Sequence, residues 1–134
     1  MKVLKFGGSS VANSERIREV KKIIGSESLP VVVVVSAFRG VTDTLKDLSE
    51  SAAGHDPGYL NRLEELINRH RTVCNELLSG ERLDSTLARI SEIFSELGEM
   101  LKGLYLLREL SRFSLDKALS AGERASSFII SAFL

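Results

Sequence analysis

Two glycines and two serines near the N-terminus form the segment of this sequence best suited to bind an anion. Gly7-Gly8-Ser9-Ser10 follows the short, β-prone stretch Lys2–Phe6. Because glycine has no Cβ, the backbone N–H groups of such a segment can turn inward and approach phosphate oxygens closely. The two serine hydroxyls add donors, and Lys5 brings a mobile cation. The pattern predicts a phosphate site without Walker A spacing, although a tight turn after a surface strand would use the same glycines.

A second polar segment follows the five consecutive valines Val31–Val35. It opens with Ser36 and runs through Gly40 to Thr42. Small hydroxyl residues at the end of a strand can bind a polar ligand. The alternative is that Ser36 only starts a turn and Thr42 only caps a helix.

The elements that position these two loops form a βαβ unit. The stretches Lys2–Phe6 and Val31–Val35 read as strands, and Ser14–Ile24 between them has apolar residues at helical spacing. Asn13 or Ser14 can cap this helix. Parallel strands place their carboxyl ends at one edge of a sheet, so the two loops are predicted to meet there. The unbroken run of valines also predicts a strand that is covered on both faces.

The rest of the chain reads as helical. A short helix is expected after Thr42, and two long apolar seams follow a Gly/Asp/Pro break. Their members are Leu60, Leu63, Ile67, His70, Cys74 and Leu77, and then Leu83, Leu87, Ile90, Phe94, Leu97, Leu101 and Leu104. Seams of this spacing predict a long antiparallel helical hairpin with coiled-coil-like packing. Ser114 is expected to cap a further helix.

Composition excludes several classes of protein. Lys plus Arg and Asp plus Glu are both 18, and this neutral balance argues against nucleic-acid binding. No apolar run reaches the roughly 18 residues of a membrane span. The single cysteine, Cys74, excludes an internal disulfide and fits a reducing cytoplasm.

His70 and Cys74 share a helix face, but they lie on the apolar seam and are predicted to pack there, so no metal site is expected. His55 is expected to be solvated, as are Arg62 and Arg69 on the outer face of the first long helix.

Residues 1–134 are expected to be the front part of a larger α/β domain, with the βαβ unit at about 1–40 and the helical region at about 42–134. Two strands make an unstable sheet by themselves, and the last residues, Ser127–Leu134, are apolar. A bare sheet edge and exposed apolar surface predict self-association, and a homo-oligomer is expected.

Three segments together carry a resemblance to a known family. Lys5–Ala12 resembles the N-terminal signature of the aspartokinases, and Val34–Ala37 with Gly40–Asp43 resembles their second motif. Ser120–Ser127 resembles their third motif, a Gly-Glu with serines one turn later. The three occur in the family's order and span nearly the whole chain. The stretch from Arg69 to Ser111 is most similar to the bifunctional aspartokinase–homoserine dehydrogenases.

This resemblance implies the α/β amino-acid-kinase fold (carbamate-kinase-like), a three-layer αβα sandwich, present here in part and with a long helical hairpin. It implies transfer of the γ-phosphoryl group of MgATP to the side-chain carboxylate of L-aspartate. The implied product is 4-phospho-L-aspartate, and its formation is the first step in the synthesis of lysine, threonine and methionine. Mg²⁺ would be held mainly through the ATP phosphates. The family's nucleotide-base site has no counterpart in this chain, which is therefore expected to be inactive alone.

The resemblance also implies roles for seven residues, matched motif by motif. The family pattern assigns charge neutralisation on the transferring phosphoryl to Lys5. It assigns phosphate binding to Gly7, Gly8 and Ser9. Aspartate binding falls to Ser36, Thr42 and Glu123, with Glu123 facing the ammonium group of the substrate.

Departures from the pattern leave alternatives open. Phe38 and Arg39 stand where the second motif often has small residues, and Ala121 stands where the third often has a bulky one. One alternative is another kinase of the same fold, acting on acetylglutamate, carbamate or UMP. Another is a helical dimerisation module with a vestigial phosphate loop, in which a seam residue such as Leu97 would mediate association.

Overall fold

The computed structural model describes residues 1–134. Two strands, β1 (Lys2–Phe6) and β2 (Val31–Val35), flank helix α1 (Ser14–Gly25). Four helices follow: α2 (Val41–Ala53), α3 (Tyr59–Leu77), α4 (Gly80–Leu107) and α5 (Arg112–Phe133). The predicted order, a strand–helix–strand unit followed by helices, is confirmed. None of the helices is both long enough and apolar enough to cross a membrane.

The two strands form a parallel pair in which Lys2 lies opposite Val31 and Phe6 lies opposite Val35. One face of this sheet packs on the helices through Leu4, Phe6, Val33 and Val35. The other face is open, with Val32 and Val34 each 45% exposed. The prediction that β2 is covered on both faces is therefore wrong in this structure. β-branched runs record a preference for extended backbone, and they do not reveal how many layers pack on the strand.

Helix α4 lies at the centre of the helical layer and packs against α2, α3 and α5. It runs antiparallel to α3, because the ring centroids of His70 and Phe94 lie 4.8 Å apart while Gly98 lies opposite the earlier residue Leu63. The predicted hairpin is therefore present. Its seam is not a free dimerisation surface, since Leu97 is only 3% exposed and faces the core of its own chain.

The buried face of α3 differs in part from the predicted seam. Leu60 is 56% exposed, whereas Tyr59 and Leu66 are buried. A straight helix has 3.6 residues per turn, so a 3-4 spacing drifts around the helix over several turns. The packed face consequently begins one residue earlier than the spacing suggests.

Helix caps follow the expected chemistry at only one of three sites. The Asn13 side chain accepts a hydrogen bond from the N–H of Arg16 at 2.9 Å, which confirms it as the cap of α1. Helix α5 is capped by Ser111, whose hydroxyl accepts from the N–H of Ser114 at 3.0 Å, and not by Ser114. Helix α2 begins after Gly40, which has a φ of 81°, so Thr42 is not its cap. The chain needs a glycine there because L side chains rarely adopt this backbone conformation.

The two histidines are both packed. His55 was expected to be solvated, but its ring stacks on Tyr105 at 4.1 Å and contacts the Tyr105 carbonyl through Nδ1 at 2.9 Å. His70 is fully buried, as predicted, with its ring stacked on Phe38 at 4.9 Å. Its Nδ1 lies 2.8 Å from the Leu66 carbonyl, so Nδ1 carries the proton, while Nε2 is buried without a partner.

Burial controls the protonation of this part of the core. Desolvation is the largest effect and lowers the pKa of His70 to about 4. The bond to the Leu66 carbonyl raises this pKa by a smaller amount, and the charge of Arg69 lowers it by the least. Desolvation also raises the pKa of the neighbouring Cys74 thiol to about 11. Both side chains are therefore neutral near pH 7 and pack as apolar groups.

A single glycine lets α5 approach the β2–α2 connection closely. A Cβ at Gly122 would lie 3.0 Å from both Ala37 Cβ and Val41 Cγ1, and 3.1 Å from Leu45 Cδ1. These three atoms come from the loop after β2 and from two turns of α2, so they cannot all move away together. The packing of α5 thus requires a residue without a side chain at this position.

We expect Gly122→Ala to lower the free energy of unfolding by about 1–2 kcal/mol, because overpacking outweighs the gain in helix propensity. Gly103→Ala is the matched control, since that position also lies in a helix and has no atom within 4 Å of an added Cβ. The control should raise stability by about 0.5–1 kcal/mol. Urea unfolding curves of the three proteins test this, and equal shifts for both variants would contradict it.

We expect the free energy of unfolding to decrease as the pH is lowered, because His70 becomes protonated. Its folded-state pKa of about 4 is below the ordinary 6.5, so the unfolded chain binds the proton first as pH decreases. Its contribution is therefore complete above about pH 6.5 and is lost as pH falls toward 4, by about 3 kcal/mol in total.

The measurement is the free energy of unfolding between pH 4 and 7 for the wild type, His70→Phe and the control His55→Gln. His70→Phe should flatten this part of the curve, while His55→Gln should retain the His70 component. An unchanged slope in His70→Phe would refute the assignment.

Candidate active site

The first loop leaves β1 through a short 3-10 turn, Gly8–Val11. Phe6 before it and Val11 at its end are buried, and these two apolar anchors fix the loop to the core. Within the loop, the Ser10 N–H donates to the Gly7 carbonyl at 3.0 Å. The first N–H groups of such a turn have no acceptor inside it, and Ser9 is exposed beside them. This arrangement can present backbone and hydroxyl donors to an anion.

The second loop lies directly against the first. A Cβ on Gly8 would lie 3.4 Å from the Ala37 carbonyl oxygen and 3.5 Å from Arg39 Cα. The Ser36 N–H donates to the Phe6 carbonyl at 3.0 Å, which continues the strand pairing into both loops. The prediction that the two loops meet at a common rim of the sheet is confirmed.

Two residues of the third motif hold helix α5 against the second loop. The buried Ser126 hydroxyl donates to the Ser36 carbonyl at 2.7 Å. One turn earlier, Gly122 contacts Ala37 and Val41. Glu123 lies between these two contact points, so its position beside the second loop is fixed by its helix neighbours. Ser126 was recognised only as part of a motif, because its bond spans 90 residues of sequence.

Glu123 is exposed and lines a cavity of about 470 Å³ between α5 and β2. Val33, Val34 and Val35 form the strand side of this cavity. Glu123 takes part in none of the four ion pairs of the chain, whereas its neighbour Arg124 pairs with Glu96 at 3.5 Å. The Glu123 carboxylate is therefore available to a cation from outside the chain.

Lys5 lies on the open face of the sheet, opposite Val34 in the strand register. It is exposed and takes part in no ion pair. Val34 thus separates Lys5 from the cavity that Glu123 lines. Thr42 is exposed in the first turn of α2, next to Val41, which packs on α5.

The seven predicted residues are thus distributed over three adjoining elements at the carboxyl end of the sheet. Lys5, Gly7, Gly8 and Ser9 belong to β1 and its loop, Ser36 and Thr42 to the second loop and the start of α2, and Glu123 to α5. The structure brings these elements together through the contact of Gly8 with Ala37–Arg39 and the contacts of Gly122 and Ser126 with the second loop. No ion pair joins Lys5 to Glu123.

Arg69 is a residue of this region that sequence reasoning assigned wrongly. It was expected on the solvated face of α3, but it is half-buried and bonds both loops. Its Nη1 donates to the Arg39 carbonyl at 2.8 Å and its Nη2 donates to the Ala12 carbonyl at 3.1 Å. The partners lie 30 and 57 residues away, so no local signal could identify them.

Comparison with known proteins extends this description. The sequence matches the amino acid kinase family over residues 1–134. It is 36% identical over 131 residues to bifunctional aspartokinase/homoserine dehydrogenase 1, chloroplastic, of Arabidopsis thaliana, covering 97% of this chain and 14% of that protein. It is 34% identical over 136 residues to aspartokinase 1, chloroplastic, of the same plant, covering 98% of this chain and 23% of that protein. The chain therefore spans less than a quarter of the length of these relatives.

Solved structures agree on the fold. The chain superimposes on Escherichia coli aspartokinase III in complex with lysine and aspartate with a TM-score of 0.88 at 24% identity, over 100% of this chain and 28% of that one. The corresponding TM-score for Clostridium acetobutylicum aspartate kinase is 0.76 at 23% identity, over 100% and 29%. The α/β fold expected from the motifs is thereby confirmed as part of the amino-acid-kinase fold. With a family match that extends from Met1 to Leu134, the chain belongs to the amino acid kinase family.

Proposed function

We propose that this chain supplies the phosphate loop and the acceptor side of an aspartate kinase active site. The reaction would transfer the γ-phosphoryl group of ATP to the side-chain carboxylate of L-aspartate. One observation carries the proposal: the Gly8 backbone lies against Ala37–Arg39, so the first two motifs share one rim. The bond from Ser126 to Ser36 brings the third motif to the same rim.

The relatives support this choice of reaction. Those with 34–36% identity carry the names aspartokinase and bifunctional aspartokinase/homoserine dehydrogenase. One matching structure is E. coli aspartokinase III in complex with aspartate and ADP. We extend aspartate and a nucleotide to this chain because all three motif segments lie in the matched region.

On the donor side, the glycine loop and Lys5 would bind phosphate. Exposed N–H groups of the 3-10 turn can donate to phosphate oxygens, and Ser9 can add its hydroxyl. Lys5 is exposed and free of ion pairs, and a lysine ammonium group sits on a flexible four-carbon stem, so it can follow the γ-phosphoryl during transfer. Its role is to offset the repulsion between the phosphate and the attacking carboxylate.

On the acceptor side, Ser36, Thr42 and Glu123 would hold L-aspartate. The hydroxyls can donate to a carboxylate, and the unpaired carboxylate of Glu123 can accept from the ammonium group. These contacts would orient one side-chain oxygen of aspartate toward the γ-phosphorus. Phosphoryl transfer depends on such positioning more than on a covalent nucleophile.

The proposed phosphoryl transfer is direct and requires no covalent enzyme intermediate. A carboxylate oxygen of aspartate forms a bond to the γ-phosphorus, and the bond from that phosphorus to the β,γ-bridging oxygen breaks. ADP leaves with the electron pair, and the acceptor becomes 4-phospho-L-aspartate. No proton must be removed from the acceptor, because a carboxylate with a pKa near 4 is already ionised at pH 7.

Mg²⁺ would depend on groups other than the side chains of this chain. No three His, Cys, Asp or Glu side chains lie close enough together to bind a metal ion. The residues present therefore do not form a Mg²⁺ site, and we assign no step of this chain to the ion. The cation would be carried by the ATP phosphates.

Glu123 also argues against the other kinases of the fold as first choice. Acetylglutamate, carbamate and UMP have no free ammonium group for a carboxylate to bind. L-aspartate has one.

The cytoplasmic location and the homo-oligomeric state expected from the sequence remain proposals, and the plant relatives carry chloroplastic names.

We expect the chain to bind L-aspartate and Glu123→Gln to weaken this binding about tenfold, because one charge-assisted hydrogen bond is lost. Isothermal titration calorimetry on the 134-residue chain is the measurement. Glu99→Gln, another exposed helix glutamate, should leave the affinity unchanged. N-acetyl-L-aspartate should bind weakly to the wild type and be insensitive to Glu123→Gln. An equal loss of L-aspartate affinity in Glu123→Gln and Glu99→Gln would contradict the proposed role of Glu123.

We expect Lys5→Met to weaken binding of inorganic triphosphate about tenfold and to reduce the salt dependence of that binding, since one cation is removed from the anion site. Lys2→Met is the control on the same strand, because Lys2 pairs with Glu27 at 2.8 Å at the other end of β1. Triphosphate binding that Lys5→Met leaves unchanged would exclude Lys5 from the site.

A further inference from the structure

We infer that Arg69 is a positioning residue that fixes the spacing between the phosphate loop and the acceptor loop. It touches neither proposed substrate in the arrangement described above, and it acts on the site through two backbone carbonyls. This inference rests on the proposed function for its consequences in ligand binding. Its geometric part rests only on the contacts of this chain.

The guanidinium group of Arg69 is the side-chain link between the two loops. Nη2 holds the Ala12 carbonyl, directly after the glycine turn, and Nη1 holds the Arg39 carbonyl, directly before Gly40. A guanidinium group is planar and presents its donors in a rigid fork. Two bonds from one fork therefore set the separation of the two carbonyls, which two independent side chains could not do.

Nothing in the surroundings of Arg69 suggests that it serves as an ordinary surface ion pair. None of the four ion pairs of the chain includes it. Burial lowers its pKa, and Phe38 lies beneath the guanidinium carbon at 6.0 Å from the ring centroid. A desolvated cation needs its hydrogen bonds, so the two loop carbonyls are strong partners for it.

Phe38 contacts both Arg69 and the neighbouring His70. It is 1% exposed, its ring stacks on that of His70 at 4.9 Å, and its ring centroid lies 6.0 Å from the Arg69 guanidinium carbon. The bulky residues that depart from the second motif therefore have a structural purpose in this chain. Phe38 anchors the loop in the core, and the backbone of Arg39 meets the guanidinium fork. Loss of the fork should leave this anchor in place and remove the constraint on the distance between the Ala12 and Arg39 carbonyls.

The test compares Arg69→Lys and Arg69→Gln with Arg62→Lys. Lysine keeps the charge but cannot bridge two carbonyls as a planar fork. Arg62 lies two turns earlier on α3 and bonds the Ser51 hydroxyl, so it controls for the loss of an arginine contact on the same helix. Each protein is studied as the 134-residue chain at a temperature well below its own unfolding midpoint.

The first measurement is amide hydrogen exchange and chemical shift of the two loops by NMR. Arg69→Lys and Arg69→Gln should change both loops, Gly7–Ala12 and Ser36–Gly40, while Arg62→Lys should leave them as in the wild type. Changes confined to α3, or identical changes in Arg62→Lys, would overturn the inference. This measurement requires no ligand.

The second measurement is binding of L-aspartate and inorganic triphosphate, each alone and in the presence of the other. Each Arg69 variant should weaken both ligands about tenfold, and the effect of one ligand on the other should disappear. A purely structural role would lower the unfolding midpoint without removing this coupling. Full coupling in a folded Arg69→Gln protein would therefore also overturn the inference.

The two measurements separate the inference from the proposed function. If the wild type binds neither ligand, the aspartate kinase proposal fails, and the NMR comparison alone decides the role of Arg69. If the wild type binds both ligands and the Arg69 variants do so equally well, the proposed function stands and the positioning role fails.

Discussion

The close approach of two backbone segments is the constraint on which the rest of this structure depends. The Gly8 backbone lies against Ala37–Arg39, and no side chain separates the two loops. Parallel pairing of β1 and β2 brings the loops to one edge, but pairing by itself leaves their distance open. A glycine allows the contact, and the flanking buried residues Phe6 and Val11 keep the first loop from moving away.

The helical layer holds the second loop through four contacts. Gly122 lets α5 pack directly on the loop and on α2, and Ser126 bonds the Ser36 carbonyl. Arg69 of α3 supplies two charged hydrogen bonds, and Phe38 fills a core position beside His70. Phe38 and Ser126 are buried and Arg69 is half-buried, whereas the four ion pairs lie at the surface and contribute little to stability.

Buried residues fix the backbone, and exposed residues at the edge of the sheet carry the charges. This arrangement explains how the proposed chemistry can be performed by so few charged groups. Lys5 and Glu123 are exposed and unpaired, and each belongs to an element whose backbone is fixed by buried neighbours. Phosphoryl transfer to a carboxylate needs charge neutralisation and orientation, which rigid supports provide at low cost in conformational entropy. The long helix α4 contributes to this indirectly, because α2, α3 and α5 all pack on it.

The sequence by itself determined the two strands, the apolar seam of α4 and the burial of His70, and it narrowed the cap of α1 to Asn13 or Ser14, because strand propensity, capping chemistry and helical periodicity are local properties. Three motifs in order also indicated the family. Only the tertiary structure decided that one face of β2 is open, that His55 packs on Tyr105 and that Arg69 bonds both loops. Each of these depends on atoms that are distant in sequence or on how many layers cover a surface, and spacing along the chain carries no information about either.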